Sequence, residues 1–266
     1  AAAAQAELNQ VPVDSQEFFP PNHPPFILPF LAFIAGFGYR PAYILHVLLM
    51  YALILIGLPP LLSTLRKEGF QQKDLVYLAL GILLFEPLFI SILKGQDSAL
   101  LLLGGMLWLA GFLRRDDRLS GLGLALTLIR PQVALVLALP FLFRQRRTWW
   151  WFLAGALILA TYSLLQVGFT GARDYLQVLS LTASGDGYGT AESTMVNFTG
   201  LLLRIIPALS IDIVHLLGWS LYGLALLLLC LIWRVSPSLQ PAHLALADCL
   251  ALFSAPRLYF HDLAIL

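Results

Sequence analysis

Three ionisable side chains fall within six residues in the segment Ser254-Ala255-Pro256-Arg257-Leu258-Tyr259-Phe260-His261-Asp262, inside an otherwise apolar stretch. On a helix Arg257 and His261 would lie one turn apart, as would Leu258 and Asp262. Charge is costly beside hydrocarbon, so such a grouping marks a working site by default. A guanidinium and an imidazole can neutralise a departing phosphate, and His261 or Asp262 can hold or move a proton. The competing reading is a His–Asp pair that packs helices together. Arg130 interrupts a second apolar run, followed by Pro131 and Gln132. It offers either a bidentate phosphate contact or a structural ion pair, for which Glu86 is a candidate partner. At Lys94-Gly95-Gln96-Asp97-Ser98 an ordinary helix cap accounts for Asp97 and Ser98 but not for Gln96. The stretch Phe18-Phe19-Pro20-Pro21-Asn22-His23-Pro24-Pro25-Phe26 either fixes the angle of a helix start or places His23 and its aromatics along a groove for lipid or sugar. Upstream, Asp14 and Glu17 are solvated loop charges or carboxylates able to deprotonate a hydroxyl.

The elements that would position these groups are membrane helices. The 266 residues are 59% hydrophobic and 12% charged, with a mean hydropathy of +0.81, far from the balance of water-soluble domains. Several apolar runs are continuous rather than alternating and approach the ~20 residues that cross hydrocarbon as a helix. We therefore expect an all-α, polytopic transmembrane bundle with re-entrant or broken helices. A net charge of +1 gives no sign of a nucleic-acid partner. Cys230 and Cys249 lie in apolar segments and form no metal-binding or disulfide pattern, so no metal site is expected.

Candidate spans are residues 26–37, 42–65, 75–93, 99–113, 119–143, 149–169, 211–233 and 243–266. A polar loop is expected over 170–199, and residues 200–209 are too short to cross. Arginine and lysine gather at Arg66-Lys67, at Arg114-Arg115 with Arg118, at Arg144 with Arg146-Arg147, and at Arg234, which assigns those short loops to the cytoplasmic side. Residues 119–143 are basic at both ends, so a single crossing would misplace one cluster. Because Pro131 disfavours helix at Arg130, that run reads as two half-helices in a hairpin with Arg130-Pro131-Gln132 at its outer tip. The polar breaks then share the non-cytoplasmic face.

Taken in order, FFPPNHPPF, GQDSALLLL, IRPQVALVLALPFLF, MVNFTGL and SAPRLYFHDLAIL resemble glycosyltransferase family 87. The resemblance covers nearly the whole chain and implies a bundle of the GT-C type. It further implies a polyprenyl-phosphate sugar as donor substrate, with no other cofactor, and transfer on the non-cytoplasmic face. Membrane lipids, the lipid-linked donor and a lipid or glycan acceptor are the implied partners. Mannose is the implied hexose, and a bacterial cell membrane the expected location. On this resemblance His23, Gln96, Asp97, Arg130, Gln132, Asn197 and Arg257 are expected to bind substrate. Family members commonly carry Lys where this chain has Arg130, which keeps the charge. The base of such enzymes is expected to be an acid in the first external loop, after a first membrane helix. Residues 1–9 resemble the segment just beyond that acid. The chain is therefore expected to be one transmembrane domain, 1–266, cut from a longer protein lacking its first helix and last spans. The base would lie before Ala1, with Asp14 as the substitute within this sequence. The segment Ser184-Gly185-Asp186-Gly187-Tyr188-Gly189 would help to cover the groove. A lipid or small-molecule transporter, or flippase, is the alternative function, since broken helices with midplane charges also describe substrate pathways. An assembly subunit without chemistry is a third.

Overall fold

The computed structural model describes residues 23–184, 194–256 and 258–265, with side chains described except at residues 181–184 and His261. Every regular element among them is helical. A 3-10 turn, Pro25–Ile27, leads into α1, Leu28–Ala35. Next come α2, Tyr39–Lys67, then α3, Gln72–Leu83, and α4, Glu86–Leu93. The run expected to cross at 75–93 is thus a broken span. Pro87 has no N–H to continue the ladder from α3, and it is accommodated in the first turn of α4 instead.

Helix α5, Ser98–Arg114, packs closely against α6, Asp117–Leu126. The reason lies in their small residues. A Cβ on Gly104 would come 2.8 Å from the Gly123 carbonyl oxygen, and one on Gly123 2.9 Å from the Gly104 oxygen. Only glycine lets the two backbones approach this far, a device suited to helix packing in lipid.

The 119–143 run breaks where the sequence places the break. A 3-10 turn, Thr127–Ile129, ends at Arg130 (φ −126°, ψ 84°), and α7, Pro131–Ala138, starts afresh with proline in its first turn. The short α8, Phe141–Arg144, comes next, and then α9, Arg146–Ser184. The two ends of the run return to one another. Thr148 donates to Asp117 at 2.7 Å, and Arg115, Asp117, Arg144, Arg146 and Arg147 line one cavity of about 620 Å³. The expected hairpin, with both basic ends on one side of the bundle, is the observed arrangement. The aromatic chain Trp108, Phe141 and Trp233, with ring centroids 6.4 and 6.0 Å apart, packs beneath it.

Two expectations fail in the second half. Residues 170–199 are not a loop throughout: α9 bends at Gly168 (φ 68°) and resumes as helix to Ser184, because glycine alone takes a left-handed φ without strain. After α10, Phe198–Ile205, and α11, Ile211–Val235, the last apolar run is not one helix. Helix α12, Pro241–Ser254, stops where Pro256 withdraws a donor, Ala255 turns extended (ψ 127°), and the chain closes in a 3-10 turn, Phe260–Ile265. That final turn packs against α4 and α5, so the helical one-turn spacing expected between Leu258 and Asp262 does not occur.

Four helical segments are long and apolar enough to cross a membrane: Tyr39–Lys67, Gln72–Leu93, Arg146–Ser180 and Ile211–Val235. Only 11% to 33% of their most apolar windows is buried within the chain. Leu48, Ile56, Leu157, Leu165 and Leu216 turn outward, an exterior that suits hydrocarbon and not water. The chain is a membrane protein.

Candidate active site

The turn between α4 and α5 is built to present Asp97. Gly95 takes φ 69°, which lets its N–H reach the Ile92 carbonyl and the Gln96 N–H reach that of Ser91. Two such bonds across a left-handed glycine close a Schellman motif. Helix α2 braces the turn: Tyr43 donates to the Leu93 carbonyl at 3.0 Å, and His46 Nε2 lies 3.2 Å from the Gln96 carbonyl. Asp97 stands at the N-cap position of α5, but its carboxylate makes no capping bond. It turns instead into the protein, where it is almost fully buried. The ordinary-cap reading of Asp97 is therefore replaced by an ionic one.

Its oxygens meet two cations or potential cations. His23 Nδ1 is 2.9 Å from Oδ2, and a terminal nitrogen of Arg130 is 3.2 Å from Oδ1. Both are close charge contacts without the alignment of a full hydrogen bond. Burial opposes ionisation of Asp97, yet the His23 ring and the Arg130 charge outweigh it and hold the carboxyl below the usual carboxylate range. Arg130 reaches further. Its Nε donates to Asp262 Oδ1 at 2.7 Å, and its other terminal nitrogen to the Ile129 carbonyl at 3.2 Å. Asp262 is fixed in turn by the Tyr259 amide, which donates to Oδ2 at 3.1 Å.

One cluster thus joins His23, Asp97, Arg130 and Asp262, four residues singled out separately in the sequence. The ion-pair alternative for Arg130 is also real, but its partners are Asp97 and Asp262, and Glu86 is exposed. Gln96 is half-buried beside Asp97. Gln132 lies in the first turn of α7, and its carbonyl accepts from Tyr222 at 2.8 Å. Asn197 stands elsewhere in the bundle and holds the C-terminal segment. Its Nδ2 donates to the Ala255 carbonyl at 2.6 Å while its Oδ1 accepts from the Gly200 amide, and the neighbouring Val196 amide donates to the Leu258 carbonyl. Asp14, Glu17, Arg257, residues 185–189 and the His261 side chain lie outside the described residues.

Nothing in the sequence warned of Tyr175. It sits on α9 beyond the Gly168 bend, within electrostatic reach of Arg130, and its buried hydroxyl has no hydrogen-bond partner among the described residues. An unpaired buried hydroxyl costs free energy that a ligand oxygen would recover. The signal was present only as a Tyr in a segment expected to be a loop. Asp248 on α12 likewise turns one carboxylate oxygen inward without a partner among the described residues.

Among the described residues no group of three or more His, Cys, Asp or Glu side chains could hold a metal ion. The cluster can hold the Asp97 carboxylate ionised and orient an imidazole beside it. No curated protein and no solved structure matches the chain. The model of glycosyltransferase family 87 matches residues 22–256, from the residue before His23 to the end of the Ser254-Ala255-Pro256 corner. Since that match takes in most of the sequence and both halves of the charged cluster but its last aspartate, this protein belongs to glycosyltransferase family 87.

Proposed function

We propose that this glycosyltransferase moves a hexose, mannose, from a polyprenyl-phosphate carrier to a hydroxyl of a lipid or glycan, on the non-cytoplasmic face of a bacterial cell membrane. The observation that carries the reading is the buried cluster His23, Asp97, Arg130 and Asp262, set among helices at the opposite end of α5 from the basic loops. Helix α5 alone separates Asp97 from Arg114 by roughly 25 Å, at 1.5 Å per residue. A site placed among membrane helices suits a donor whose carrier is itself a lipid. Basic loops on the far side suit a site facing outward.

In the reaction the acceptor oxygen bonds to the anomeric carbon, and the bond from that carbon to the phosphate oxygen breaks. The electron pair leaves on polyprenyl phosphate, and the acceptor proton passes to a base. Arg130 turns three of its five N–H donors toward Asp262, the Ile129 carbonyl and Asp97, which leaves one on each terminal nitrogen for a donor phosphate. Arg130 therefore positions Asp97 and Asp262, and it shares with Arg257 and His261 the stabilisation of the leaving phosphate. Gln96 and Gln132 serve sugar hydroxyls. Asn197 positions the segment that carries Arg257.

The test is a transfer assay on full-length protein in lipid nanodiscs, with polyprenyl-phosphate mannose as donor and an alkyl mannoside as acceptor. Labelled disaccharide should form from this donor and not from a nucleotide-linked mannose. Movement of the donor between leaflets in proteoliposomes without any transfer would instead establish the flippase alternative.

A further inference from the structure

The arginines of the basic loops do more than mark one end of the bundle. We propose that they form a binding site for the phosphate headgroup of an anionic phospholipid, seated in the cavity where α5, α6, α8 and α9 meet.

That cavity, of about 620 Å³, is of a size that takes a small ligand. Its walls come from separate elements. Arg115 follows α5, Arg144 ends α8, Arg146 and Arg147 open α9, and Phe112 and Leu239 supply an apolar side. Asp117 is the one acid lining it among the described residues, and it already accepts from the Thr148 hydroxyl at 2.7 Å. Four guanidiniums thus face a single carboxylate. Arg144 donates to the Pro237 carbonyl. The side chains of Arg115, Arg146 and Arg147 have no hydrogen-bond or ion-pair partner among the described residues.

The backbone of Arg115 sets it apart. At φ 57° it is the one left-handed residue other than glycine among the described residues. Its amide donates to the Phe112 carbonyl, and the Asp116 amide to that of Gly111. It therefore fills the place in a Schellman turn where glycine is the unstrained choice, as Gly95 does before the other end of α5. An arginine held there against strain is kept for its side chain, and that side chain lines the cavity. Arg146 and Arg147 occupy the first turn of α9, the positive end of a helix, which disfavours cations. An anion in the cavity offsets both penalties. Charges that only fix orientation need neither to converge on one cavity nor to strain the chain.

A phosphate group can come from a lipid headgroup or from free phosphate, and the surroundings favour the lipid. The cavity has an apolar side, and one turn beyond Arg147 the indoles of Trp150 and Trp151 are exposed, as in the aromatic belts that lie at headgroup level. Basic pockets between membrane helices hold anionic headgroups, and a guanidinium fork matches two phosphate oxygens. A headgroup bound here would tie the α5–α6 turn to the α8–α9 turn, at the end of α5 opposite Asp97.

The test is thermal unfolding and native mass spectrometry of full-length protein in neutral detergent, with phosphatidylglycerol, phosphatidylcholine or sodium phosphate added. Phosphatidylglycerol should raise Tm by about 5–10 °C near saturation and remain bound one to one, and the other two should do neither. Arg146→Gln with Arg147→Gln should weaken its binding about tenfold or more. Arg66→Gln with Lys67→Gln, an equal loss of charge outside the cavity, should not. Arg115→Gly should raise Tm without lipid, because strain is relieved, and shrink the increment that lipid adds. An unchanged increment in Arg115→Gly or in the Arg146 and Arg147 variant overturns the site. Equal weakening in the Arg66 and Lys67 variant overturns it in favour of diffuse surface charge, and equal stabilisation by sodium phosphate overturns the lipid as its source. None of these readouts needs sugar transfer, so their failure leaves the transferase reading untouched.

Discussion

Arg114 and Arg130 are the same side chain 16 residues apart, and the protein uses them in opposite ways. Arg114 ends α5 and reaches across to α2, donating to Thr64 Oγ1 at 2.5 Å, the Pro60 carbonyl at 2.6 Å and Ser63 Oγ at 2.7 Å. Its partners are neutral, and the residue is exposed. Arg130 sits between two buried carboxylates. The charge of Arg114 is solvated, so its contacts add a modest increment of packing and its position records which side of the membrane its loop occupies. The charge of Arg130 cancels charges that cannot be stranded without cost. Equal chemistry therefore serves orientation at one end of the bundle and site assembly at the other.

The widest separation of the two ends is an all-or-none labelling result. In a background without Cys230 and Cys249, a cysteine at Lys94 should react with a membrane-impermeant thiol reagent outside intact cells, and one at Arg147 should not. Lys94 is the better reporter because it is exposed, whereas its neighbour Asp97 is buried. The opposite labelling pattern would place the cluster inside and remove the case for an outward site.

Next in size is Arg130→Met. Two buried carboxylates would lose their counter-charge, which costs about 3–5 kcal/mol of stability, and transfer per folded molecule should fall about ten- to a hundred-fold, the equivalent of a lost charged contact of about 1.5–3 kcal/mol. Arg130→Lys should keep partial activity. In a double-mutant cycle Arg130→Met with Asp97→Asn should destabilise by less than the sum of the single changes, by about 0.5–3 kcal/mol. Full additivity would mean that the contact contributes nothing to the fold.

The smallest effect belongs to Arg114→Gln. Loss of its rim contacts should cost about 1 kcal/mol, a drop of about 2–4 °C in Tm for a chain of this size, with kcat intact. A collapse of activity there would erase the contrast between the two arginines.

Much of this was legible before the fold was known, because a bilayer makes polar residues conspicuous. His23, Asp97, Arg130 and Asp262 each stood out against apolar surroundings, and the basic ends of 119–143 with Pro131 between them pointed to the hairpin. Their mutual contact was not legible. Glu86 was the partner the sequence suggested for Arg130, while Asp97 read as an ordinary cap, since the true pairing depends on a Schellman turn that rotates Asp97 inward. The helical spacing expected around Asp262 failed at Pro256, whose effect at Ala255 outweighs the apolar run that continues beyond it. Tyr175 was missed because Gly168 looks like the end of a helix and is a bend within one. The glycine contact between α5 and α6 went unread because it is a relation between two helices, visible in neither alone.

The bond from Arg130 to Asp262 spans 132 positions, and that distance is also a delay. At roughly 5–20 residues per second during synthesis, the chain elongates for about 7–26 seconds between the appearance of the arginine and that of its second carboxylate. Throughout that interval Asp97 is already present, so the guanidinium can enter the bilayer with a chaperoning counter-ion from its own chain. The turn Phe260–Ile265 then arrives as a latch, and the cluster is completed only after the helices that carry Asp97 and Arg130 have been made.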